Sequence, residues 1–140
     1  MKKQMVSILF MGVVFSCCAA VQAQVVVIVI SGVKASEVSN DELRDVFSGD
    51  KTSLRDGSKV TPVTLKAGAI HEAFLKQCVG KTDAAFRTSW RSLVFTGQGS
   101  MPKTLDSESA MVDYIAATPG AIGYVGKETA HDKVKTLTVK

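Results

Sequence analysis

Residues 24–30 read QVVVIVI, and the six β-branched apolar residues in succession leave little choice of local structure. Branching at Cβ restricts χ1 and suits a pleated strand better than a helix. The run does not alternate with polar residues, so both faces of the strand need apolar cover. That is the pattern of a parallel sheet with helices on each side.

The rest of the chain supplies such helices. Ser31-Gly32 ends the strand. Ser39-Asn40-Asp41-Glu42 forms a capping box, in which the Ser39 hydroxyl accepts from the Glu42 amide and the Glu42 side chain returns to the Ser39 amide. Leu43, Val46 and Phe47 follow at helical spacing, and Gly49 is placed to stop the helix. Asp56-Gly57 marks a turn, and residues 60–65 read as a second strand with Pro62 confined to its start or to an edge. Lys66-Ala67-Gly68-Ala69 leads tightly into a helix that carries Ile70, Phe74 and Cys78 on one face and is closed by Gly80. Thr82 caps a third helix with Phe86, Trp90, Leu93 and Val94 as its apolar stripe, and Phe95 is also expected in the core. Asp106 or Ser107 caps a fourth, with Met111, Val112, Ile115 and Ala116 inward. Residues 121–125 and 134–139 read as the closing strands. This order predicts a βαβ unit with a right-handed crossover at the start, and a three-layer α/β sandwich around a mostly parallel sheet.

Residues 1–23 stand apart. Lys2 and Lys3 precede an apolar stretch over residues 5–14, and Val21-Gln22-Ala23 suits cleavage before Gln24, the layout of a secretory signal. A membrane anchor is the alternative. The apolar run over residues 5–21 is interrupted by Ser7, Gly12 and Ser16 and is short for a span of roughly 20 residues. Val14-Phe15-Ser16-Cys17 loosely resembles a lipobox, so lipid attachment at Cys17 or Cys18 is a second processing route. The expectation is a periplasmic or secreted protein whose residues 24–140 form one domain with no span left after signal removal. Cys78 is then the sole cysteine, which excludes an internal disulfide. Its place on a helical apolar stripe reads as a buried thiol and not a nucleophile.

The chain has 17 Lys and Arg against 13 Asp and Glu, and Lys2 and Lys3 account for half of the +4 excess. The remaining basic residues are scattered singly, which argues against a nucleic-acid partner, where a basic stripe is the footprint. Metal and cofactor motifs are missing as well. His71 and His131 lie far apart with no CxxC near them. Gly80-Lys81-Thr82 has Leu75 where a P-loop needs its first glycine. Gly97-Gln98-Gly99 meets Pro102 in place of the third glycine of a dinucleotide fingerprint. No GxSxG elbow occurs, so the chain reads as a non-enzyme without a cofactor.

One candidate site follows from architecture, because open α/β sheets bind ligands beyond the carboxyl ends of their strands. Two such ends are readable, Ser31 with Gly32 and the stretch Lys66, Gly68, Ala69, Ile70 and His71. The second enters a helix whose first amides and positive dipole end suit an anion, with Lys66 adding charge and His71 a donor. A glycine at such a turn also has a purely conformational use.

DELRDVFSG, DGSKVTPV, HEAF, FRTSWRSLVFTGQGSMPK and AATPGAIGYV, in that order across residues 25–127, resemble the phosphate ABC-transporter substrate-binding proteins. The combination of W-x4-FTGxG with TPGAIGYV carries most of the resemblance. It implies one lobe of a type II periplasmic-binding-protein-like fold, a two-lobed clamshell in full-length relatives. Those relatives hold phosphate with hydroxyls, amides and an arginine in a loop of the type RSDGSGTT. The matching stretch here puts Ile70 and His71 at the two threonines, Gly68 at the serine and Thr64 at the arginine. Lys66 can replace the charge but not the bidentate fork, so mainly the helix-end amides carry over. The resemblance implies an exported module for phosphate or a similar small oxyanion, serving ABC-type uptake or sensing. The alternative is an interaction module that has lost its anion and docks on an envelope protein, and a homodimer rebuilding a cleft from two lobes would bridge the two.

Overall fold

The computed structural model describes residues 24–30, 33–129 and 131–140. Its strands are β1 (Val25–Val29), β2 (Glu37–Val38), β3 (Thr61–Leu65), β4 (Lys103–Leu105), β5 (Ala121–Gly126) and β6 (Lys135–Val139), joined in one sheet of order β2-β6-β1-β5-β3-β4. The helices are α1 (Asn40–Phe47), α2 (Ala69–Phe74), α3 (Asp83–Phe95) and α4 (Glu108–Ala117), and α2 runs on as a π-helical turn, Leu75–Val79, before Gly80 stops it at φ 74°.

The three layers are visible from β5 alone. Tyr124 points toward α1 and α2, its ring stacked on Phe74 at 3.9 Å and edge-on to Phe47 at 6.1 Å. Its neighbour Gly123 points the other way, where an added Cβ would come within 2.5 Å of Met111 Sδ on α4. Glycine there lets α4 approach the sheet closely. The central strands are covered on both sides as their sequences require, and Val27, Ile28, Val29 and all of β5 are buried.

The α/β sandwich is as expected, with β2–β6, β3–β5 and β3–β4 parallel. The direction of β1 is not, because it runs antiparallel to both β5 and β6. No βαβ unit therefore joins β1 to β3; β5 lies between them. An unbroken apolar run reports burial on two faces and carries no information on strand direction. Pro62 sits at the start of β3, before pairing with β4 begins at Val63. Strands β2 and β4, two and three residues long, are too short to show a period. Phe95 is corrected from core to surface, 93% exposed, and Val94 next to it is also exposed. Both stand at the last turn of α3, past the face that buries Phe86 and Trp90.

Local signals operate as read. The Ser39 hydroxyl accepts from the Glu42 amide and the Ser39 amide donates to Glu42 Oε2 at 2.9 Å. Thr82 and Ser107 cap α3 and α4 by accepting from Ala85 and Ala110.

Candidate functional site: the start of helix α2

Because β3 and β5 are parallel, their carboxyl ends share one edge of the sheet, and the chain leaves β3 there through Lys66 to enter α2 at Ala69. Gly68 is the N-cap residue, with φ 113° and ψ 171°, a conformation essentially reserved for glycine. It offers no side chain to the helix, so α2 begins without a side-chain cap. The first amides of a helix have no partner inside it. Gly68 itself borders open space, since nothing lies within 4 Å of a Cβ built on it. Lys66, Ala67, Gly68 and Ala69 are exposed and Ile70 is half-buried. The Lys66 ammonium enters no ion pair among the described residues.

His71 differs from its neighbours. It is 2% exposed, and both ring nitrogens are engaged inside the protein. Nδ1 meets the Tyr124 hydroxyl, and Nε2 lies 2.7 Å from Asp83 Oδ1. The Leu65 amide donates to Tyr124 Oη at 3.0 Å. Asp83 Oδ2 is 2.9 Å from Arg87 Nε, and Arg87 Nη2 donates to the Lys66 carbonyl at 2.8 Å. The chain of contacts thus leaves Leu65 and returns to Lys66, the next residue. It ties down both ends of the bare loop.

The proton positions follow from counting donors. The Leu65 N–H can only donate, so Tyr124 Oη accepts it and sends its own proton to His71 Nδ1. His71 Nε2–H then donates to the Asp83 carboxylate. Burial pushes the Tyr124 phenol well above its ordinary range, against the Leu65 hydrogen bond, which keeps that proton in place. Partial burial raises the Asp83 carboxyl, but hydrogen bonds from His71 and Arg87 and the Arg87 charge outweigh it, and the net shift is downward.

Of the residues read from the sequence, Lys66, Gly68, Ala69, Ile70 and His71 come together at this edge. Ser31 and Gly32 lie outside the described residues. β1 itself ends at Val29, opposite Ile122 near the start of β5. Sequence reasoning missed Tyr124, Asp83 and Arg87 as parts of the site. The available signals were a histidine beside the buried Phe74 face and a tyrosine inside a strand, two polar groups that burial obliges to find partners.

No family model matches the chain, and no curated protein matches it in sequence. Solved structures do. A Clostridium perfringens protein described as a phosphate ABC transporter substrate-binding protein, with bound phosphate, has a TM-score of 0.64 at 15% identity, over 84% of this chain and 45% of that one. PstS from Borrelia burgdorferi gives 0.60 at 14%, over 84% and 47%. An ABC-type phosphate transport receptor from Vibrio cholerae gives 0.57 at 13%, over 84% and 46%. The chain spans less than half the length of these structures. Its α/β sandwich therefore has the fold of a single-lobe portion of the phosphate ABC-transporter substrate-binding proteins, as the motif order in the sequence implied.

Proposed function

We propose that this chain is an exported solute-binding module for phosphate or a similar small oxyanion, which it receives at the start of α2 in the service of ABC-type uptake or sensing. The observation that supports this most directly is the start of α2 itself. It is uncapped, open and fastened at both ends, within a fold shared with a phosphate-bound structure. The amides of Ala69 and Ile70 supply the donors, Lys66 supplies the charge, and Gly68 lets the anion approach the backbone. His71 acts from beneath, holding the first turn in register through Tyr124 and Asp83. Residues 1–23 act as the export signal in this reading, and among the described residues no helix is long and apolar enough to cross a membrane.

A second reading draws support from the same loop. Ala67, Gly68, Ala69 and Ile70 bring no polar side chain to an anion, and each missing charge-assisted hydrogen bond removes about 1.5–3 kcal/mol. A lobe that has lost its anion and docks on an envelope protein fits that composition. A homodimer would restore a second wall.

Calorimetric titration of residues 24–140 with phosphate, beside sulfate and chloride, separates the two. Selective micromolar phosphate binding, reduced by Lys66→Ala, supports the solute-binding module. No binding at millimolar phosphate removes it and leaves the docking lobe.

A further inference from the structure

At the opposite edge of the sheet, where β3 and β4 begin, a cleft of about 370 Å³ opens between the loop after α1, the start of β3 and the loop after α3. Its floor is apolar around Trp90, whose indole N–H is already satisfied by the Phe47 carbonyl at 2.8 Å. Lys51, Lys59 and Lys103 line it, and among the described residues no carboxylate does. Lys51 is 3.2 Å from Asp45 outside the cleft, and Lys103 lies 5.9 Å from the Tyr114 ring centroid. Lys59 makes no ion pair among the described residues. Three lysines thus line one opening, and Lys59 carries the charge that has no ionic partner among the described residues.

Two further features mark this edge. Met101, which lines the cleft, is 50% exposed, and Phe95 stands 93% exposed at the end of α3, where the loop to Met101 begins. Lone exposed apolar residues are ordinary, but several about one short loop are what an interface presents. Strand β4 is also the last in the sheet, paired with β3 alone among the described residues. Its outer side is an unpaired edge of the kind that accepts an added strand.

We propose that this cleft docks an extended acidic segment of a partner protein, with carboxylates against Lys51, Lys59 and Lys103 and an apolar side chain on Met101. Charge complementarity selects this occupant. A second copy of the chain, itself net positive, would bring like charges together. A bare oxyanion would have no use for the apolar floor or the open strand edge. The segment W-x4-FTGxG, which holds Trp90, Phe95 and Gly99, acquires a use that the start of α2 does not give it.

The test is fluorescence anisotropy on the full chain with a labelled peptide alternating Glu and Leu, beside the same peptide with Lys for Glu. The expected result is saturable binding of the acidic peptide alone, weakening as salt rises. Lys59→Glu with Lys103→Glu should weaken it about tenfold, whereas Lys66→Glu should leave it unchanged. Lys59 and Lys103 are both exposed, so thermal unfolding should show the double variant folded. Absence of binding, equal binding of the basic peptide, or indifference to the double variant would overturn the proposal. So would inorganic tripolyphosphate that binds the wild-type chain and Lys66→Ala alike but not the cleft double variant, which makes the cleft a small-anion site. Sedimentation showing a dimer that the double variant dissolves would overturn it in favour of a second copy.

Discussion

Helices α1 and α2 begin in opposite ways. At α1, Ser39 and Glu42 exchange hydrogen bonds and Glu42 Oε1 also accepts from the Arg55 amide at 3.0 Å, so the start is closed by its own side chains. At α2 the N-cap is Gly68, nothing caps the first amides, and order comes from below through Leu65, Tyr124, His71, Asp83, Arg87 and Lys66. The first arrangement stabilises the helix and uses up its anion-accepting capacity. The second keeps that capacity at the surface and moves the stabilising contacts into the interior. A fold can leave a helix start bare without loosening it if a buried polar chain holds the same turn.

The sharpest way to break this comparison is to remove the buried support. His71→Ala empties a fully enclosed site and strips the Tyr124 hydroxyl of its acceptor. The expected loss is about 2–4 kcal/mol, the combined range for a truncated buried ring and an orphaned buried donor. Urea unfolding measures it, and a loss no larger than that of a helix cap would show that the circuit does not hold α2. Gly68→Ala comes next, at about 1–3 kcal/mol, for a different reason. Space is no obstacle, since nothing lies within 4 Å of the new Cβ, but φ 113° with ψ 171° does not suit an L side chain. If the start of α2 seats an anion, the same variant should also lose phosphate affinity in the calorimeter. A neutral Gly68→Ala would mean that the turn can relax and that its geometry is not enforced.

Ser39→Ala is the counterpart at α1. Losing the cap should destabilise by about 1 kcal/mol and leave any phosphate titration unchanged. A change in anion binding on Ser39→Ala would collapse the distinction between the two helix starts.

How much of this could be read in advance depended on range. The capping box at Ser39, the caps at Thr82 and Ser107 and the stop at Gly80 are encoded within a few residues, and all four appear in the structure. The loop Lys66 to His71 was legible for the same reason, since a glycine between a strand and a helix marks it locally. The circuit beneath was not, because His71 finds Tyr124 53 positions away and Asp83 12 away, on different elements. Asp83 and Arg87 stand one helical turn apart, a spacing that by itself marks only a solvated outer face. The antiparallel course of β1 was hidden too, because two-sided burial erases the alternation that would have hinted at it. Phe95 misled in the other direction. Its apolar character implied core, but the helix phase at the last turn of α3 takes it away from the side that buries Trp90.

The smallest expected effect tests the outer link of the circuit by pH. Asp83 is charged and doubly hydrogen-bonded when folded, with its carboxyl held below the ordinary value. A depressed folded pKa contributes stability that is fully present above the unfolded carboxylate value, near 3.9, and is lost as pH falls through the folded one. Wild type should therefore lose stability below about pH 4 more steeply than Asp83→Asn, whose amide does not titrate. The difference should stay under about 1 kcal/mol, because the Asp83 side chain is 37% exposed and solvent screens the Arg87 pair. Urea midpoints for the two proteins at pH 7 and at pH 3 give the comparison. Parallel acid losses would mean that Asp83 adds no proton linkage to the hold on His71. A loss far above 1 kcal/mol would place the carboxylate deeper in the energetics of α2 than its exposure allows, and the start of α2 would then depend on its acidic anchor as much as on the buried Tyr124.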